Sequence, residues 1–162
     1  MEKINIRCGY RFVREALFGY YYYQVGDTTI GRVEDNDPEE GFLTATLGYL
    51  DDFFQSFNHH DFTNVTAREL FDFANAQELG EDGAENILLQ LHNVSVDLQN
   101  NLKVIPPTDL FDDFSGGIFR IDGKYHFYCA LNDEEFLDTD IDFAAFENEY
   151  KQLKLAIAQI KA

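Results

Sequence analysis

The sequence predicts an α+β fold: an antiparallel sheet of hairpin strands with several packed helices, in one domain over residues 1–162. Three observations carry this. Asp122-Gly123 separates two β-prone runs, and Asp-Gly readily adopts the positive φ angles of a two-residue hairpin turn. Residues 16–24 form an aromatic run of strand character, with four consecutive tyrosines. Leu43, Leu47, Leu50, Phe54 and Phe57 recur at spacings of 4, 3, 4 and 3, which places them on one helical face.

In chain order, Ile4, Ile6 and Cys8 alternate with polar residues as a strand does, residues 11–15 are mixed, and the aromatic run follows. Alternation puts Tyr20 and Tyr22 on one face and Tyr21 and Tyr23 on the other. One pair therefore faces away from any single core; it is expected to lie under a helix or, if bare, to serve a partner. Val25-Gly26-Asp27 marks a turn, and Thr28-Thr29-Ile30-Gly31 is expected to return as a short partner strand. Residues 32–41 read as an acidic loop.

The first helix is expected to keep Asp51, Asp52 and Gln55 on its outer face and to end in Asn58-His59-His60-Asp61. Thr66-Ala67-Arg68-Glu69 fits a capping box opening a second helix, with Leu70, Phe71 and Ala74 inward. Gly80-Glu81-Asp82-Gly83 breaks it, and residues 84–92 are expected to form a third helix. In 93–105, Val94, Val96 and Leu98 suggest one strand, and Leu102, Val104 and Ile105 a second after Gln99-Asn100-Asn101. Residues 110–114 suggest a single helical turn. After the Asp-Gly hairpin, residues 132–140 read as an acidic loop. A last helix follows, with Phe143, Phe146, Tyr150, Leu153, Ile157 and Ile160 on one face and Asp142 as its cap.

No motif announces a reaction. Gly-x-Ser-x-Gly, a phosphate loop and a dinucleotide fingerprint are all missing from the sequence. His59, His60 and Asp61 are adjacent, and neighbours on a helix point apart, so they read as a polar helix end rather than a zinc site. Asp138, Asp140, Asp142 and Glu149 match positions 1, 3, 5 and 12 of a calcium loop, but Phe143 stands where the sharp turn needs glycine. The expectation is therefore no catalytic residue, no metal and no cofactor. Cys8 and Cys129 read as two reduced thiols, with a bridge between them left open.

The dominant property is charge: 30 acidic against 12 basic side chains, a formal net charge of −18. A chain that is also 45% hydrophobic folds despite this, so the surplus lies on a compact surface. Such a surface repels nucleic acid and anionic lipid and steers cationic partners inward. No stretch approaches a membrane span, and self-repulsion disfavours association between copies, so a monomer is expected before a partner binds.

Residues 18–57 resemble the immunity proteins of bacterial polymorphic toxins, including those of contact-dependent growth inhibition systems. The resemblance covers about a quarter of the chain. It rests on the aromatic strand, Gly26-Asp27-Thr28-Thr29-Ile30-Gly31, the acidic loop, and Leu43-Thr44-Ala45-Thr46-Leu47-Gly48-Tyr49-Leu50, with Gly31, Leu43, Leu47 and Leu50 at its centre. It implies a small cytoplasmic bacterial protein, not an enzyme, that binds and neutralises a cognate toxin domain, often a basic nuclease. The alternative is an acidic DNA mimic that inhibits a DNA-binding enzyme, which needs carboxylates spaced along a stripe like phosphates. Candidate toxin-binding residues are Tyr20, Tyr21, Tyr22, Tyr23, Glu34, Asp35, Asp37, Glu39, Glu40, Asp51, Asp52, Asp112 and Asp113.

Overall fold

The computed structural model describes residues 1–76, 87, 90 and 98–161. Its α+β architecture consists of two four-stranded sheets, a small two-stranded ribbon and helices packed between and beside them. The first sheet contains β1 (Ile4–Val13), β2 (Ala16–Val25), β3 (Thr28–Ile30) and β6 (Gly41–Phe42). β1 and β2 form a ten-pair antiparallel hairpin from Ile4↔Val25 to Val13↔Ala16. The mixed segment 11–15 is thus strand up to Val13, followed by a two-residue turn. Arg14 and Glu15 both take positive φ (50° and 70°), the twist that suits a tight hairpin.

The acidic loop expected over 32–41 is more ordered than that. β4 (Val33–Glu34) and β5 (Asp37–Pro38) make a ribbon whose turn residues Asp35 and Asn36 lie at φ 50° and 63°. Asp and Asn tolerate the left-handed region better than other chiral residues, which makes this turn accessible without glycine.

The second sheet runs β10 (Phe136–Ile141), β9 (Lys124–Ala130), β8 (Ser115–Ile121), β7 (Asp61–Phe62). The Asp122-Gly123 hairpin forms as its turn chemistry dictates. Two expectations are corrected here. Residues 136–140 of the expected acidic loop belong to strand β10, paired with β9 from Phe136↔Ala130 to Ile141↔Tyr125. The acids at Asp138 and Asp140 had masked an alternation in which Leu137 and Ile141 face the core. Asp61, expected at a helix end, instead joins Phe62 in pairing parallel to β8. Glu2 joins the sheets: its N–H donates to Asp140 O and its carbonyl accepts from Asp142 N, each at 3.0 Å.

Helix α1 (Thr44–Ser56) stops before Asn58, and its buried face includes Phe53 as well as Leu47 and Leu50. Helix α2 (Ala67–Ala76) has the expected capping box: Thr66 N donates to Glu69 Oε1 at 3.0 Å, and Glu69 N to Thr66 Oγ1 at 3.1 Å. Thr66→Ala is expected to cost about 1 kcal/mol, read as a lower urea midpoint at constant slope. Helix α3 (Phe143–Lys161) is capped by Asp142, whose Oδ1 accepts from Ala145 N at 3.0 Å. The third helix expected over 84–92, the Gly80–Gly83 break and the strand expected at 94–98 lie largely outside the described residues; Ile87 is helical and buried. The strand expected over 102–105 is replaced by a 3-10 turn, Gln99–Leu102, and irregular chain; a second 3-10 turn spans Asp109–Phe111.

One core joins the inner face of the first sheet, α1, α3 and one face of the second sheet through Tyr23, Phe53, Phe127 and Phe146. A second core packs α2 against the other face of the second sheet through Leu70, Phe71, Phe119 and Tyr128. The outer face of the first sheet stays open: Arg7, Arg11, Val13 and Phe42 are exposed. Among the described residues no helix is long and apolar enough to cross a membrane.

Candidate functional site

Arg32 organises the acidic end of the molecule. It follows Gly31, whose φ of 136° is a conformation that residues with a Cβ rarely adopt, and whose missing side chain leaves room for Tyr22. The Arg32 N–H donates to Leu110 O at 2.9 Å, and its carbonyl accepts from Glu39 N at 2.9 Å. Its guanidinium then bridges two segments, with Nε 2.8 Å from Glu39 and Nη1 3.1 Å from Asp112. One arginine thereby holds the β4–β5 ribbon against the turn that carries Asp112 and Asp113.

A groove of 610 Å³ opens beside this junction. Its rim carries Glu34, Asp112, Asp113 and Asp133, all exposed, and half-buried Val33, Phe114 and Leu131 also line it. An adjoining hollow of 600 Å³ is lined by Arg32, Glu34, Asp35, Asp37 and Glu39. Seven carboxylates thus line two hollows that share Arg32, whose guanidinium pairs with Glu39 and Asp112. Clustered like charges repel one another, a cost that a cationic ligand relieves.

The sequence-derived candidates divide accordingly. Glu34, Asp35, Asp37, Glu39, Asp112 and Asp113 come together at the two hollows. Glu40 turns away and pairs with Arg11. Asp51 is not a free outer-face acid: Tyr150 Oη donates to it at 2.7 Å and Lys154 Nζ lies 3.1 Å away, so it ties α1 to α3. Asp52 lies 3.6 Å from Lys103. Neither lines the acidic hollows.

Tyr21 and Tyr23 are corrected outright, because they are 1% and 0% exposed and cannot touch a partner. Strand alternation turns them into the core, where Tyr23 Oη donates to Val104 O at 2.7 Å. Tyr20 and Tyr22 occupy the outer face, half-buried, with ring centroids 6.0 Å apart. Tyr20 lies over Gly9, filling the space a side chain there would take.

Sequence reasoning missed Arg32, the groove-lining Val33, Phe114 and Leu131, and the contribution of Asp133. The available signal was Arg32 itself, a cation at the head of an acidic run. Its partner Asp112 is 80 residues away, so no spacing rule could have paired them.

Elsewhere the chemistry is quiet. Both thiols are free, and burial pushes Cys8 and Cys129 up to about 12, which suppresses the nucleophilic thiolate. Among the described residues no group of three or more His, Cys, Asp or Glu side chains is placed to share a metal. Asp138 and Asp140 belong to β10 while Asp142 caps α3, so these residues form strand and cap rather than a loop wrapped around an ion. His59 Nδ1 lies 3.0 Å from Tyr125 Oη, at an exposed site. Compared with protein-family models, curated proteins and solved structures, the chain finds no significant match in any of the three.

Proposed function

We propose that this protein is a non-catalytic inhibitor that docks on a cationic toxin domain and neutralises it, in the manner of the immunity proteins its residues 18–57 resemble. The observation that carries the reading is the convergence of seven carboxylates, from three separated chain segments, on adjoining hollows, one of them lined also by apolar residues. A basic side chain can lay its aliphatic stem on Val33, Phe114 and Leu131 and leave its charge among the rim acids. The acids raise the encounter rate, and the desolvated apolar contact sets the lifetime. A nuclease fits this chemistry, since its substrate cleft is built to hold phosphates. Cytoplasmic residence, where such a toxin would act, belongs to the same reading. The compact grouping around a groove supports one protein partner over a duplex mimic, which needs about one charge per 1.7 Å along a line.

The test is capture with the tagged protein from its own organism's lysate, with its neighbouring genes expressed, followed by kinetics on the purified pair. The expected result is a stoichiometric basic polypeptide whose toxic activity falls on binding. Glu34→Lys/Asp112→Lys/Asp113→Lys should then lower the association rate by about 10- to 100-fold and flatten its salt dependence. An unchanged association rate with a properly folded triple variant would remove the groove from the interface. Capture of restriction or nucleoid proteins would favour the mimic instead.

A further inference from the structure

The acidic groove has an apolar neighbour. Phe114 and Ser115, which line the groove, also line a second cavity, of 390 Å³. The two cavities therefore share a stretch of wall, where the turn carrying Asp112 and Asp113 enters β8. Helix α1, helix α2 and the chain run before β8 build the second cavity. Phe71, Ala74 and Ile105 are its buried part, and Tyr49, Leu102 and Phe114 are half-buried around them. Among its described lining residues there is no carboxylate, and Lys103 is the one charged side chain. Lys103 stands 3.6 Å from Asp52, which offsets its charge. In a chain with 30 acidic residues, a nearly neutral apolar cavity thus adjoins a groove rimmed by Glu34, Asp112, Asp113 and Asp133.

We propose that this cavity receives a large apolar side chain of the same partner whose Lys or Arg enters the acidic groove. The proposal rests on the reading that the groove binds a cationic protein, and it names that partner's second anchor. A cation gains nothing in a wall without a carboxylate, because giving up its water there costs more than apolar contact returns. An apolar side chain gains as little among the rim acids. The shared wall at Phe114 and Ser115 puts the two sites side by side, so the partner must present a basic and a large apolar residue as neighbours. The size agrees: 390 Å³ lies near the lower end of ligand pockets, about 300–1,000 Å³, with room for one ring or branched side chain. Such pockets, set beside polar rims, are where the few dominant contacts of an interface sit. The groove then governs how fast the partner arrives, and the filled cavity how long it stays.

The test is an NMR titration of the isotope-labelled full chain with the dipeptide amides acetyl-Arg-Phe, acetyl-Phe-Arg and acetyl-Arg-Ala, up to about 10 mM to reach weak binding. The better phenylalanine peptide is expected to bind about tenfold or more tighter than acetyl-Arg-Ala, as burial of a ring predicts. Its shifts should centre on Phe71, Phe114 and Ser115. Asn75→Trp, at an exposed position, and Tyr49→Ala alter the second cavity and not the groove. Each should cut the phenylalanine advantage to about twofold or less and leave acetyl-Arg-Ala binding unchanged. Glu34→Lys/Asp133→Lys, at exposed groove positions, should weaken all three peptides by about tenfold. Equal binding of all three peptides, still weakened by Glu34→Lys/Asp133→Lys, overturns the second anchor and leaves the groove reading standing. A phenylalanine advantage that survives both Asn75→Trp and Tyr49→Ala places the ring elsewhere and overturns it too. No binding by any peptide removes the groove reading and the second anchor together.

Discussion

Raising the pH above 10 is expected to destabilise this protein progressively. Tyr21 and Tyr23 are fully buried, and burial is the main force holding both phenols well above their ordinary value of 10.0. Burial likewise lifts the fully enclosed Cys129 from 9.0 to about 12. In each case the native state binds the proton more tightly than the unfolded chain. These groups leave stability intact below their unfolded pKa values, and stability falls as pH rises from those values toward the native ones. Loss therefore begins near pH 9 with the thiol and steepens above 10 with the phenols. Each group that ionises only in the unfolded chain removes up to about 1.4 kcal/mol per pH unit above its unfolded value, which is a sizeable share of a domain's stability of about 5–15 kcal/mol.

Urea unfolding at pH values from 8 to 11 measures the loss, and tyrosinate absorbance reports ionisation. With 9 tyrosines and no tryptophan, that absorbance is free of indole overlap. A midpoint independent of pH, or full tyrosine ionisation in a chain still folded, would contradict the burial argument.

Asn101→Ala should be the most damaging single polar truncation among the described residues. Asn101 is 0% exposed, and its amide completes three hydrogen bonds. Its Oδ1 accepts from Asn58 N at 2.8 Å, and its Nδ2 donates to Asn58 O at 3.1 Å and to Ile118 O at 3.0 Å. This one side chain therefore ties the 3-10 turn at 99–102 to the linker after α1 and to β8. Truncation leaves one buried donor and two acceptors short of a partner, at a cost of about 3–5 kcal/mol. Denaturant unfolding should show a lower midpoint at unchanged slope. A loss below about 1 kcal/mol would mean that water or a local shift takes over these bonds. Asn101→Asp should also destabilise, because it removes the two donors and places a charge in the core. The same chain run continues to Asp112 and Asp113, so loosening it should also blur the rim of the groove.

Several elements were legible because their determinants are local. The Asp122-Gly123 hairpin follows from turn chemistry, the α2 start from a four-residue capping box, and α3 from a stripe capped by Asp142. The parity of the tyrosine run was equally plain, since a strand alternates whatever surrounds it. The α+β class needed nothing beyond such patterns, whereas the stripe read for α1 named Phe54, which is half-buried, and missed Phe53, which is fully buried. What they left open was which tyrosine pair faces the core. The packing of α1, α3 and Phe111 around Tyr21 and Tyr23 decided it.

Other features needed the tertiary structure. Strand β10 hides behind its acids, because Asp138 and Asp140 look like loop residues until the pairing with β9 accounts for them. Strand β7 is two residues long and parallel to β8, a pairing with no turn signal to mark it. Asp51 looked like a free surface acid, yet it meets Tyr150 about a hundred residues on. The sequence by itself determined that this is a folded, strongly acidic α+β chain with tyrosines on two faces. Only the tertiary structure decided which acids act together, by pinning the β4–β5 ribbon to Asp112 through Arg32. The reason is range: propensity, capping and alternation act within about one turn of helix or a few residues of strand. A binding surface is assembled by contacts between segments whose separation along the chain carries no period.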